Sequence, residues 1–374
     1  MSLRPPQDRE IIGLQALRAA AALAVVLHHA LRATRLNAPA DLHLGSTVVP
    51  AWLIEAGAGG VDVFFILSGF LMVYISGSYV QGRRPVSHFL QQRVLRVWPM
   101  YVLVTLFALK PALMKWWATG ERGFDLSAER LGGLLLLPSF NEQHYIQPIV
   151  GVGWTLSYEA LFYLCFAAAI LVARHHLFVA LCAIVAAAFA FGHLLPESSA
   201  WHGFLSDTIT LEFLYGAAIA SFVQWRGRGR LGSYALIAAG VLVLGVSSHL
   251  GVMTTAWRPV SYGVAAALVF VGVLRLEGLV TWPRWVVLLG NASYSIYLVH
   301  VLVIYQWMMP YAERGLRKYD IAMQGDVLAL ILAGGGVMVG VACYFLLERP
   351  LTAALMRKRP APRSVVAPVP ATPP

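Results

Sequence analysis

Along the chain, apolar residues gather in runs of roughly 20 separated by short polar breaks, the length a bilayer core demands. Ten runs stand out, near residues 11–31, 59–80, 97–117, 151–173, 177–195, 205–223, 232–250, 258–274, 285–309 and 326–347. The pattern predicts an all-α fold, a polytopic transmembrane helical bundle of about ten spans. The apolar stretch 131–137 is too short to cross and is expected to dip into the protein. No period of about 20 to 50 residues recurs, so no repeat architecture is indicated.

Composition strengthens this picture. The 374 residues are 59% hydrophobic and only 12% charged, against about 25% charged in ordinary soluble domains. A net charge of +10 raises nucleic acid as a partner. The basic residues, however, sit in short loops between apolar runs, as in a membrane protein that fixes its orientation by charge. With the N-terminus inside, the inner segments hold seventeen basic residues and the outer loops nine, while Arg18 and Lys110 fall within spans. Both termini are therefore expected in the cytoplasm. Ala38-Pro39-Ala40 loosely resembles a signal cleavage site, but the preceding apolar stretch is long and interrupted by Arg18, which marks a retained first span. The domain reading is a cytoplasmic segment 1–10, a membrane domain 11–350, and a tail 351–374, basic and then Pro/Ala-rich and disordered. Cys165, Cys182 and Cys343 lie inside apolar runs without disulfide or zinc spacing, so they read as packing residues and no metal is expected.

An ionisable group inside a span is costly unless paired or solvated, and it defaults to a functional candidate. Arg18 and His29 are eleven residues apart, about 20° beyond three full helical turns, so they share a face while His28 points about 80° away. Their axial separation is roughly 16 Å, with Arg18 toward the inner side. Asp62 and Glu159 open the second and fourth spans, both entering from outside. His29, Asp62 and Glu159 are thus expected to converge at one outer depth, where a carboxylate can orient an imidazole acting as general base. A structural polar network tying helices together is the plainer reading. Near the inner side, Arg93 and Arg96 are neighbours on a helix and suit phosphate, as well as simply marking the cytoplasmic face. Ser293, Tyr297 and His300 form a further polar stripe at i, i+4 and i+7, with His300 its least expected member.

These residues carry a resemblance. Leu14-Gln15-Ala16-Leu17-Arg18-Ala19 followed by His29, the string 60–70 (GVDVFFILSGF), Arg93-Val94-Leu95-Arg96-Val97-Trp98-Pro99-Met100-Tyr101, the segments 153–159 and 293–300, and Glu348-Arg349-Pro350-Leu351 occur in order. Together they resemble the motifs of the acyltransferase-3 family of integral membrane acyltransferases, especially bacterial exopolysaccharide O-acetyltransferases of the succinoglycan type. The family often has two adjacent arginines three residues before the second arginine of the third motif, whereas Gln92 precedes Arg93 in this chain. Phosphate contacts are thus expected to be shared out differently, with Arg84 a further candidate.

The resemblance implies a multi-pass protein of the bacterial inner membrane that transfers an acyl group, usually acetyl, from cytoplasmic acetyl-CoA to a hydroxyl of an extracytoplasmic carbohydrate. It maps the family's histidine onto His29 and its arginine onto Arg18. On this reading His29, Asp62 and Glu159 are the catalytic set, and Arg18, Arg93 and Arg96 hold the CoA. Ser68, Tyr158, Tyr297 and His300 are substrate-contacting or structural candidates. Besides membrane lipids, polysaccharide synthesis or export machinery is an expected partner. Direct attack on the thioester and a transient acyl-histidine are both open to His29. The main rival is a transporter or flippase for a lipid-linked glycan, since transporters also hold charges at mid-membrane. The lack of repeats and the split into an inner arginine group and an outer acid–base group favour the enzyme. A purely structural partner in a polysaccharide complex would leave the Arg18–His29 alignment unexplained.

Overall fold

The computed structural model describes residues 11–35, 42, 44–45, 48–120, 131–140, 148–223, 229–254 and 256–356. The N-terminal segment and the tail beyond residue 356, for which a cytoplasmic position is expected, lie outside the described residues. The principal helices are α1 (Ile12–Arg35), α2 (Ala51–Ala56), α3 (Gly60–Ile75), α4 (Val86–Thr119), α5 (Trp154–Ala173), α6 (Leu177–Leu194) and α7 (Leu211–Phe222). They continue with α8 (Arg230–His249), α9 (Val264–Arg275), α10 (Arg284–Val301), α11 (Met309–Tyr319), α12 (Gly325–Cys343) and α13 (Arg349–Leu355). The short strands β1 (Leu44–Gly45) and β2 (Met323–Gln324) pair in parallel, and Asp326 Oδ2 accepts from the Val48 N–H at 2.6 Å. Together they tie the α1–α2 connection to the start of α12.

Among the described residues, seven helical stretches are long and apolar enough to cross a membrane, and one of them, Gly151–Leu194, holds both α5 and α6. Each of the ten expected runs has a helical counterpart, but not every counterpart has the length of a span. The clearest departure is the run 205–223. There Asp207 Oδ1 accepts from the Ile209 N–H at 2.9 Å and starts a 3-10 turn, so α7 proper has 12 residues, about 18 Å. The run 258–274 opens with a π-helical turn, Pro259–Gly263, before α9. The stretch 131–137 does not cross. Its Gly133 and Leu134 carbonyls accept from Tyr101 Oη (2.7 Å) and Trp98 Nε1 (2.8 Å), which fastens it against α4.

The outer rim of the bundle is apolar, with Trp117, Leu171, Val172, Leu194, Leu242 and Leu346 all exposed. In water such a surface would drive aggregation; in a bilayer it is the solvated face. Inside, α1 is enclosed by α10, α12 and α3, and α3 packs most extensively on α7. Lipid offers no hydrophobic drive between helices, so their association relies on close approach through small residues. A Cβ at Gly216 on α7 would lie 1.9 Å from the Ile66 carbonyl oxygen, and one at Gly69 on α3 would lie 1.9 Å from that of Phe213. The α3–α7 crossing therefore requires both glycines.

Gly216→Val should separate α3 from α7 and destabilise the protein by about 1–3 kcal/mol or more, read as a fall in unfolding temperature in detergent. Gly334→Ala on α12, where an added Cβ meets nothing within 4 Å, should leave that temperature nearly unchanged.

Candidate active site

A cavity of ≈ 110 Å³ opens between α1, α3, α4, α5 and α10. Three arginines line it. Arg18 of α1 donates from Nε to Ser293 Oγ of α10 at 3.0 Å. Arg93 and Arg96 come from α4, where their spacing of three residues puts them on one face. The Arg93 Nε is buried and has no hydrogen-bond partner among the described residues. Glu159 of α5 is the one carboxylate among the lining residues, accepting from Ser68 Oγ at 3.0 Å and from Tyr163 Oη. Glu348, held by Ser295 Oγ at 2.5 Å, lies within electrostatic reach of Arg18. Three arginines facing one lining carboxylate leave an excess of positive charge, the environment that takes a phosphate or other anion.

Farther along α10, Tyr297 Oη lies 2.9 Å from Thr155 Oγ1, and both hydroxyls reach the Val152 carbonyl. The Tyr297 ring meets Phe64 edge-on at 5.6 Å and the His300 ring at 5.9 Å. His300 is fully buried, with its ring centroid 5.2 Å from that of His29. His29 is half-buried and its own carbonyl accepts from Tyr305 Oη at 3.0 Å. His28, by contrast, is buried and donates Nδ1–H to the Ile54 carbonyl at 2.7 Å. α1 and α10 thus run parallel, with Arg18 beside Ser293 and His29 beside His300. The shared face of Arg18 and His29 is the face turned toward α10.

The expected convergence of His29, Asp62 and Glu159 is not formed. Asp62, fully buried in the first turn of α3, receives two hydrogen bonds from Arg258 (Nε 3.1 Å, Nη2 2.8 Å). Glu212 of α7, also fully buried, lies within electrostatic reach of both. Glu159 is level with Ser68, six residues and about 9 Å farther along α3 than Asp62. Glu159 lies eight residues into its apolar run and Asp62 only three into its own, so taking both as span openings misjudged the depth of Glu159. Ser68 serves Glu159, and Tyr158 donates to Asp207 Oδ2 at 3.0 Å while packing on Phe204, outside the cavity lining. Arg84 is exposed and also outside that lining.

Several site residues escaped sequence reasoning. Glu212 sits in an apolar run and met the same criterion as Asp62 and Glu159. Tyr163 stands four residues after Glu159, a local spacing that could have found it, whereas Arg258, Tyr294 and Tyr305 carried no local signal, since their partners lie far away in sequence. Among the described residues, no cluster of three or more His, Cys, Asp or Glu side chains could hold a metal ion.

The fold and cavity define a multi-pass, all-helical membrane protein built around buried charge. The chain belongs to the acyltransferase-3 family, whose acyltransferase domain matches residues 11–347, and it is accordingly a membrane acyltransferase. It is 33% identical over 302 residues to the exopolysaccharide production protein ExoZ of Rhizobium meliloti (strain 1021), covering 79% of this chain and 89% of that one. It is 27% identical over 403 residues to the acyltransferase MdmB of Streptomyces mycarofaciens, covering 98% and 97% respectively. No solved structure matches the chain.

Removing the cation from the Asp62–Arg258–Glu212 group leaves buried carboxylates unpaired, a loss of about 3–5 kcal/mol. Arg258→Ala should therefore lower the unfolding temperature sharply, and adding Asp62→Asn should recover part of the loss.

Proposed function

We propose that the protein transfers an acyl group, acetyl by preference, from cytoplasmic acyl-CoA to a hydroxyl of an extracytoplasmic carbohydrate. The observation that carries this reading is the placement of the arginine-lined cavity at Arg18 and the ring pair His29–His300 along one α1–α10 interface, with Tyr297 between them on α10. In this reading Arg18, Arg93 and Arg96 bind the phosphates of CoA, with Arg93 offering an unused buried N–H. The ten-span topology, with both termini cytoplasmic in a bacterial inner membrane, would put that cavity on the CoA side and His29 on the other. The name of the Rhizobium relative supports an exopolysaccharide acceptor.

His29 is the candidate base. Its partly buried imidazole takes the proton of the acceptor hydroxyl while that oxygen attacks the thioester carbonyl carbon. As the new C–O bond forms, the C–S bond breaks, and the proton passes from His29 to the departing thiolate. His28 is less suited, because its Nδ1–H is committed to Ile54. Asp62 and Glu159 support the site at other positions, the first through Arg258 and the second in the cavity wall.

Inverted membrane vesicles, with radiolabelled acetyl-CoA outside and glycan from cells lacking the protein enclosed in the lumen, test the reading. Label should appear on glycan, and His29→Ala should abolish it while the protein still accumulates in the membrane. Wild-type transfer by that variant would remove His29 from the reaction, and CoA-independent movement of glycan across the membrane would favour a transporter. Arg93→Ala should raise the KM for acetyl-CoA by about tenfold, the loss of one charge-assisted contact, with a smaller effect on kcat.

A further inference from the structure

We propose that His300 is the positioning residue for His29, accepting the ring N–H of His29 on its own Nε2 and so leaving the other His29 nitrogen free for the acceptor hydroxyl. The proposal rests on the reading of His29 as the base.

The tautomer of His300 follows from its partner. Its Nδ1 lies 3.1 Å from the Ile296 carbonyl oxygen one turn earlier on α10. A carbonyl only accepts, so Nδ1 carries the hydrogen and the neutral ring presents Nε2 as a lone pair. That nitrogen is buried and has no hydrogen-bond partner among the described residues. A buried acceptor without a donor is costly and calls for an explanation. The catalytic imidazole supplies the missing donor.

The geometry places that donor close by. Ring centroids 5.2 Å apart, with planes tilted by 48°, allow nitrogens turned toward each other to approach to about 3 Å, the length of a hydrogen bond. His29 makes no ring hydrogen bond among the described residues, and rotation about its χ2 is soft, so it can turn its N–H to His300. Its backbone is held meanwhile by Tyr305, delivered from the π-helical segment Leu302–Met308 that follows α10. Local π-helical geometry is frequent at functional sites. On the other side, Gly336 of α12 makes room for His300, since a Cβ there would lie 3.3 Å from the His300 Cβ.

No carboxylate among the described residues takes this part. Asp62 is bound to Arg258, and Glu159 to Ser68 and Tyr163. Glu55 is bound to Arg32. The His28 ring meets that of His29 edge-to-face at 5.1 Å, its Nδ1–H already donated to Ile54. During transfer the hydroxyl proton moves to His29 and then to the thiolate of the acyl thioester donor. The His29–His300 hydrogen bond strengthens while His29 is charged, and His300 gains and loses no proton.

The test uses the full chain in inverted vesicles, with radiolabelled acetyl-CoA outside as donor and glycan from cells lacking the protein enclosed in the lumen as acceptor. His300→Phe fills the volume without an acceptor, whereas His300→Gln places a carbonyl oxygen near the Nε2 position. Phe should lower kcat by about 100-fold, the lower range for an acid–base contribution, with the KM for acetyl-CoA changed less than about twofold. Gln should restore most of kcat. The proposal is overturned if the Phe variant keeps kcat, if Phe and Gln are equally impaired, or if only KM moves. Histidine-labelled wild-type protein adds a readout that needs no accumulation of the Phe variant: ¹⁵N NMR should show coupling across an N–H···N bond between the two rings, and its absence counts against the proposal. Loss of activity in His29→Ala with full activity in His300→Phe would sink this inference alone, whereas wild-type activity in His29→Ala would sink the reading beneath it.

Discussion

The parallel packing of α1 on α10 is the constraint on which the site depends. It is set by small residues. A Cβ at Gly290 would fall 2.2 Å from the Gln15 carbonyl oxygen, so the two backbones touch near the start of both helices. From that contact the helices run in the same direction, putting Arg18 on Ser293 and His29 against His300. α12 closes the other flank through Gly340, where a Cβ would lie 2.5 Å from Ile296 Cα. In hydrocarbon, where apolar surface gives no preference for one neighbour over another, such close contacts and a few hydrogen bonds decide which helices pair. The polar line along α1 and α10 is a consequence of that pairing.

Buried charge is divided between two tasks. At the start of α3, Asp62, Arg258 and Glu212 join three segments that are distant in sequence. Arg258 satisfies Asp62 at both oxygens, which suits a structural clamp. In the cavity, by contrast, the arginines outnumber the lining carboxylate and one buried guanidinium N–H has no partner among the described residues. The cavity carries an excess of cations, whereas in the clamp one cation faces two carboxylates, so the two groups differ in the sign of their excess charge. The proposed donor cavity at Arg18 and the proposed base His29 lie on one helix pair, about 16 Å apart along the axis.

Much of this was legible in the chain. Apolar runs set the helical membrane class because a bilayer of fixed thickness imposes both length and composition. The common face of Arg18 and His29 followed from the 3.6-residue repeat alone, since both lie on one uninterrupted helix. Helical spacing likewise placed Arg93 with Arg96, and Ser293 with Tyr297 and His300. Each of these inferences stays within one helix, where local geometry is fixed by backbone hydrogen bonds.

What crosses between helices was decided only by the tertiary structure. Asp62 and Glu159 both open apolar runs, yet Arg258, 196 residues beyond Asp62, claims one, while Ser68 and Tyr163 claim the other. The depth of a side chain depends on where its helix begins, and an Asp207 cap before α7 shifts that point without changing the hydropathy of the run. Sequence by itself therefore determined the membrane class, the helices and the residues sharing a face. Pairing between faces was left to the fold, because it depends on backbone approach at glycines such as Gly216 and Gly290, which hydropathy cannot register.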